Sequence, residues 1–271
     1  MAQQILIISD ATGDTAQQLL SAALRQFDDP DVLVEIHTRV RSEEAIEEIL
    51  EKAADTDCLV LHSIVKVKQR SFLKSLCDEL QLIEIDTIGP LVNQLSVLLH
   101  SEAVAQPGRQ HQVDANYFRR IEAVEFAVKN DDGQHPRNLA KADVVLVGIS
   151  RTSKTPLSTY LAQRGLKVAN VPLVMGIEPP AELFRVDQSK IFGLSIRAEA
   201  LFRIRQARLQ VLGMPADTTY GMREHISNEL NYATQFFEAN PHWPVIDVTD
   251  RAIEETAAEL LSLIREQARG N

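Results

Sequence analysis

The sequence predicts an α/β protein of two halves, each with a mainly parallel sheet, and a P-loop-like strand–loop–helix in the second half. Three observations carry that expectation. Over the first hundred residues, short runs of Val, Ile and Leu alternate with segments of helical period, the pattern of strands joined by crossover helices. A polar stretch containing Pro107-Gly108 then breaks the rhythm. The alternation restarts at Val144-Val-Leu-Val147, four apolar β-formers that end on Gly148 and a polar loop.

In order, Ile5–Ile8 reads as a strand followed by the polar turn Ser9–Thr15. Ala16, Leu19, Leu20, Ala23, Leu24 and Phe27 recur at helical steps and predict the first helix. Val32–Ile36 is the second strand, and Glu43–Ala54 a helix with Ile46, Ile49 and Leu50 on one side and glutamates on the other. Cys58–Leu61 and Leu82–Ile85 are strands, with helices around Phe72–Leu80 and Leu91–Leu99. Strands that alternate with helices in this way belong to a parallel sheet covered on both faces.

Ser101–Asn116 is the linker candidate, and Tyr117–Lys129 returns to helix before the turn-rich Asn130–Pro136. After the strand at Val144 and a helix to about Gln163, Lys167–Val171 is a strand that ends at Pro172. Ile191–Ile196 is another strand, Glu199–Leu212 and Glu224–Glu238 are helices, and Val245–Val248 reads as a buried strand. The last helix places Ile253, Ala257, Leu260, Leu261 and Ile264 on one face. The expected organisation is an N-terminal α/β domain over 1–105, a linker and connecting helix over 106–140, and a P-loop-like nucleotide-binding and catalytic domain over 141–271.

Composition narrows the function. A chain of 271 residues with 45% hydrophobic and 24% charged residues is ordinary for a globular protein. A net charge of −10 argues against nonspecific nucleic-acid binding and against anionic membranes, while leaving a local basic cleft open. Cys58 and Cys77 match no metal spacing and read as buried thiols in a reducing compartment. The histidines form no i, i+4 pair on an expected helix, which argues against dedicated zinc. Apolar runs fall short of the roughly 18 residues a bilayer span needs, and a strand begins where a signal peptide would stand. The expectation is a cytoplasmic protein. A homodimer is compatible with this and dictated by no residue.

The spacing from Gly148 to Lys154-Thr155 is that of G-x-x-x-x-G-K-[ST], a phosphate-cradling loop. Such a site needs converging backbone N–H groups, a helix N-terminus and a cation. Gly148 permits a sharp turn out of the strand, Lys154 reaches terminal phosphates, and Thr155 bonds a phosphate or holds magnesium. Magnesium is not assigned. Pro156 suits the first helical turn. Ser153 stands where the pattern has its second glycine, so a positive φ there carries strain of about 1–3 kcal/mol. The bland alternative is a plain strand–turn–helix.

Gly148-Ile-Ser-Arg-Thr-Ser-Lys-Thr-Pro-Leu-Ser158, with Tyr160-Leu-Ala162 and Lys167-Val-Ala-Asn-Val-Pro-Leu173, resembles the pyruvate, phosphate dikinase regulatory protein family. Ile8–Ala16, Tyr117–Ala123, Glu125–Lys129, Asp131-Asp-Gly133 and Lys190–Leu194 match as well, so the resemblance covers nearly the whole chain. A sister branch acts on phosphoenolpyruvate synthase and has a Cys-Gly pair before the lysine; Thr152-Ser153 favours the dikinase branch. The resemblance implies a bifunctional serine/threonine kinase and phosphorylase. The kinase transfers the β-phosphoryl of ADP to an active-site threonine of the dikinase, which carries its catalytic phosphohistidine, and releases AMP. The phosphorylase uses inorganic phosphate to remove that phosphoryl as pyrophosphate. Carried over residue by residue, Gly148, Ile149, Ser150, Arg151, Thr152, Ser153, Lys154 and Thr155 form the ADP-binding loop. Lys154 and Arg151 are the catalytic candidates, one neutralising the β-phosphate and the other the transferred group. Arg151 as a solvated loop cation stays equally open, and Lys154 is expected in a solvent-reachable loop.

Asp10, in a turn after the first strand, reads as a base or partner contact, with helix capping the favoured role. Lys190 reads as a second phosphate cation or a strand-edge lysine. Arg205 and Arg208, one helical turn apart, read as a face for an acidic or phosphorylated target, or as a solvated face. Asp247 resembles a Walker-B-type acid in placement or a strand-terminal cap. Rival functions are the same chemistry on phosphoenolpyruvate synthase, an ATP-dependent small-molecule kinase, and a non-catalytic nucleotide sensor.

Overall fold

Parallel pairing requires a crossover between strands, and the chain supplies helices to make it. In a computed structural model describing residues 3–54, 56–109, 115–215 and 218–270, the chain divides into two units, Met1–Gln112 and Val113–Asn271.

The first unit runs β1 (Gln3–Ile8), α1 (Asp14–Leu24), β2 (Val32–His37), α2 (Glu43–Ala53), β3 (Cys58–His62), α3 (Val67–Glu79), β4 (Ile83–Asp86) and α4 (Gly89–Leu98). Its sheet order is β2-β1-β3-β4, every pair parallel. The alternation of side chains along β1 divides the core. Leu6 and Ile8 pack with Ile46 and Leu50 of α2 and Leu73 of α3 on one face. Ile5 and Ile7 pack with Ala16 and Leu20 of α1 on the other. Phe27 falls beyond α1 and is exposed, because the helix stops at Leu24.

The second unit runs α5 (Ala115–Lys129), β5 (Val144–Gly148), α6 (Lys154–Ala162), β6 (Val168–Pro172), β7 (Ile191–Ser195), α7 (Ala198–Val211), α8 (Arg223–Glu238), β8 (Val245–Asp247) and α9 (Ile253–Gly270). Its order, β6-β5-β7-β8, repeats the arrangement of the first sheet, again all parallel. Helix α5 packs Ala123 and Ala127 against Ala162 of α6, so it belongs with this unit's core. Residues 110–114 of the expected linker lie outside the described residues.

One strand departs from its expected burial. Val245–Val248 is apolar in sequence, yet β8 is the edge strand and Val245 is 43% exposed, with Ile246 alone of the three strand residues turned inward. Successive strand residues face opposite sides, and at this edge one side is open. No helix among the described residues is long and apolar enough to cross a membrane.

In an open parallel sheet, the loops leaving the two central strands part to opposite faces, and the crevice between them at the carboxyl ends is where ligands gather. In the second unit, that position is occupied by the loop between β5 and α6.

Candidate functional site

Gly148 ends β5 for a reason different from the expected sharp turn. It is absent from the positive-φ residues; a Cβ there would lie 2.8 Å from the carbonyl oxygen of Leu194 on β7 and 2.9 Å from Thr152 Oγ1. Close approach of neighbouring backbone is what demands glycine. The turn itself is made further along, where Arg151 has φ 72° and Ser153 φ 60°, ψ 21°. Ser153 therefore adopts the left-handed conformation that the second glycine of a phosphate loop would take. Thr152 is fully buried and its hydroxyl donates to the Ile149 carbonyl at 2.9 Å, closing the loop on itself.

Lys154 is the first residue of α6, and its position corrects the expectation of a solvent-reachable loop. It is only 6% exposed, and Nζ donates to the carbonyl oxygens of Gly148 and Ile149, each at 2.9 Å. The side chain folds back beneath the loop onto carbonyls that each already accept one hydrogen bond, Gly148 from the Leu173 N–H and Ile149 from the Thr152 hydroxyl, and that keep a second lone pair for the ammonium. Burial pulls its pKa down to about 8, with the carboxylates of Asp132 and Asp131 opposing that shift and Arg151 adding to it.

Those two aspartates were not singled out for a role by the sequence. They sit in the turn after α5, where Asp132 has φ 49°. Asn170 on β6, itself buried, grips the turn from both sides: its Oδ1 accepts the Asp132 N–H at 2.7 Å and its Nδ2 donates to the Asp131 carboxylate. Thr155 Oγ1 donates to Asp131 at 3.0 and 3.2 Å. Among the described residues, the Asp132 carboxylate accepts no hydrogen bond. The available signal was two consecutive acids before a glycine, in a stretch that carried the family resemblance.

Asp132, Ser150, Arg151, Ser153, Lys154 and Thr155 line one cavity of about 520 Å³, within the size range of small-molecule sites. Five of the eight expected loop residues thus face it. Gly148, Ile149 and Thr152 are buried and shape it from behind. Arg151 is exposed and its Nε donates to Tyr220 Oη at 3.0 Å.

The remaining candidates take other roles. Asp10 is 1% exposed and does not cap α1, whose N-cap is Gly13 with no side-chain cap; it accepts the Val65 N–H at 2.8 Å instead. Burial raises its pKa. Lys190 bonds the Ala142 carbonyl at 3.1 Å, at the amino ends of the strands and so opposite the loop; it is a strand-edge lysine and no second phosphate cation. Asp247 accepts the Thr249 N–H at 2.9 Å, a strand-terminal cap. Arg208 is exposed, but Arg205 is 0% exposed and ion-paired with Glu229. The two arginines do not share a docking face, because Arg205 lies within the buried stripe of α7, in line with Leu201 and Leu209, while Arg208 is turned outward.

A cation, a free carboxylate and a helix N-terminus therefore meet around one volume, which suits a terminal phosphate and a hydroxyl nucleophile. A profile described as Kinase/pyrophosphorylase matches residues 5–261. A relative from Sorangium cellulosum is 51% identical over 266 residues, covering 98% of this chain and 95% of its own. Another, from Geotalea daltonii, is 46% identical over 259 residues, covering 96% of each. Both are named pyruvate, phosphate dikinase regulatory protein.

Proposed function

This chain belongs to the kinase/pyrophosphorylase family, and from that premise we propose that it switches pyruvate, phosphate dikinase off and on by phosphorylating and dephosphorylating one threonine. The observation that carries the reading is that Lys154 and Asp132 line the same cavity after β5, with the Asp132 carboxylate close enough to favour the charged form of Lys154.

In the kinase direction, ADP lies with its phosphates over the β5–α6 loop. The target threonine hydroxyl attacks the β-phosphorus, the bond to the α-phosphate breaks, and AMP leaves. Asp132, with no competing donor, takes the hydroxyl proton. Lys154 and Arg151 offset the charge on the transferred group, and most of the catalysis is positioning and electrostatics. In the phosphorylase direction, inorganic phosphate occupies the same loop and attacks the phosphothreonine phosphorus. The bond to the threonine oxygen breaks, pyrophosphate leaves, and Asp132 relays the proton of the attacking hydrogen phosphate to the threonine oxygen. One site serves both directions.

Incubation with the phosphohistidine form of the dikinase and ADP tests the reading: phosphothreonine and AMP should appear together, and added phosphate should then release pyrophosphate. Modification of phosphoenolpyruvate synthase in place of the dikinase, or of a metabolite by ATP without a protein target, would overturn it.

A further inference from the structure

Tyr220 lies in the short 3-10 turn Thr219–Gly221 between α7 and α8, and its hydroxyl accepts the Arg151 Nε–H at 3.0 Å. Behind the ring is Arg205, its guanidinium carbon 4.4 Å from the ring centroid. The same guanidinium donates to the Tyr220 carbonyl at 3.2 Å and to the Ser150 carbonyl at 3.4 Å, and it pairs with Glu229 of α8. Gln206 donates to the neighbouring Gly221 carbonyl at 3.1 Å. A guanidinium taken wholly out of water is tolerated only where its charge and donors are met. Arg205 meets its charge with Glu229 and its two terminal nitrogens with the Tyr220 and Ser150 carbonyls, Nε being left without a hydrogen bond, and so ties the phosphate loop, the Tyr220 turn and α8 into one frame.

Arg151 has the opposite problem. It is exposed, stands in left-handed backbone at φ 72°, and borders the cavity. A long side chain so placed samples several rotamers unless something holds it. The Tyr220 hydroxyl engages Nε and leaves the two terminal nitrogens, the pair that recognises phosphate oxygens in fork geometry.

We infer that Tyr220 is a positioning residue for phosphoryl transfer: it fixes Arg151 at the cavity wall, and Arg205 fixes Tyr220 and Ser150 together behind it. This rests on the functional reading above. Tyr220 is outside the cavity lining and acts through Arg151.

Tyr220→Phe keeps the ring against Arg205 and removes only the hydroxyl. In the dikinase assay with ADP, kcat should fall about tenfold while KM for ADP stays within about twofold, the size expected for losing one hydrogen bond to a charged group. The thermal midpoint should not move. Arg151→Ala should lose at least as much, and Tyr220→Phe added to it should change nothing further, as two residues acting through one contact require. Additive losses, a lowered thermal midpoint with unchanged kinetics, or wild-type kcat in Tyr220→Phe would each overturn the inference. Wild-type protein that makes no phosphothreonine from ADP would remove the functional reading first, and that outcome is visible before any variant is made.

Discussion

The ammonium of Lys154 lies 2.9 Å from the carbonyl oxygen of Gly148, the last residue of the strand that feeds its own loop. The backbone carbonyls of Gly148 and Ile149 satisfy the cation, at the cost of burial that brings its pKa to about 8. A phosphate above the loop would favour the charged form again, so binding must be linked to protonation.

This linkage fixes a pH dependence. Below about 8, Lys154 is protonated before and after binding, and it contributes no slope. Above that value, the free protein has lost the proton and the complex regains it. ADP affinity should then fall with rising pH, approaching about tenfold per pH unit. Titration calorimetry in buffers of different ionisation enthalpy would register the proton uptake. Lys154→Met should bind ADP more weakly at neutral pH and lose the alkaline decline; an unchanged decline in the variant would assign the slope elsewhere.

Ser153 holds φ 60° at the entry to α6. A side chain in that conformation carries strain that glycine does not, and a β-branched one carries more. Ser153→Gly should leave stability equal or raise it by up to about 1 kcal/mol, whereas Ser153→Val should lower it by about 1–3 kcal/mol. Urea midpoints decide the matter: a clear loss in Ser153→Gly would mean that the serine hydroxyl, and not the loop conformation, is what the position requires.

At Gly148 the constraint is space. A methyl group would meet the Leu194 carbonyl at 2.8 Å, and backbone in the middle of a sheet cannot swing aside. Gly148→Ala should therefore part β5 from β7 locally and cost about 1–3 kcal/mol by overpacking. Its nucleotide affinity should drop as the loop shifts. A variant with wild-type urea midpoint would show that the sheet absorbs the methyl group.

How much of this was legible in the sequence follows from what each feature depends on. Strands and helices were visible because the apolar runs of β1, β3 and β5 and the 3.6-residue stripes of α2 and α9 are local patterns. The loop was visible because its spacing is local too. Burial of Lys154 and Arg205 was not, since both residue types belong to the surface by composition and are buried only by partners elsewhere: Gly148 and Ile149 for one, Glu229 and Tyr220 for the other. Strand order was equally hidden, and with it the exposure of Val245 on the edge strand. The grip of Asn170 on Asp131 and Asp132 joins residues 39 and 38 positions apart, beyond any periodicity.

Asp131 and Asp132 are neighbours in sequence and differ in what they hold. Asp131 accepts from Thr155 and Asn170, so its carboxylate is occupied in keeping the turn against α6. Asp132 lines the cavity beside Lys154, and its carboxylate is open to a target hydroxyl. Asparagine in place of either preserves size and one acceptor oxygen but cannot take a proton. Asp132→Asn should therefore slow threonine phosphorylation by about 100- to 10,000-fold, the range for losing a general base, while ADP still binds. Asp131→Asn can still accept the Thr155 hydroxyl and should lose less than about tenfold, since only a neutral-for-charged hydrogen bond is exchanged. Single-turnover formation of phosphothreonine at saturating ADP measures both without interference from product release. The reverse ranking, with Asp131→Asn the more damaged, would move the base to Asp131 and leave Asp132 as a charge that only steadies Lys154.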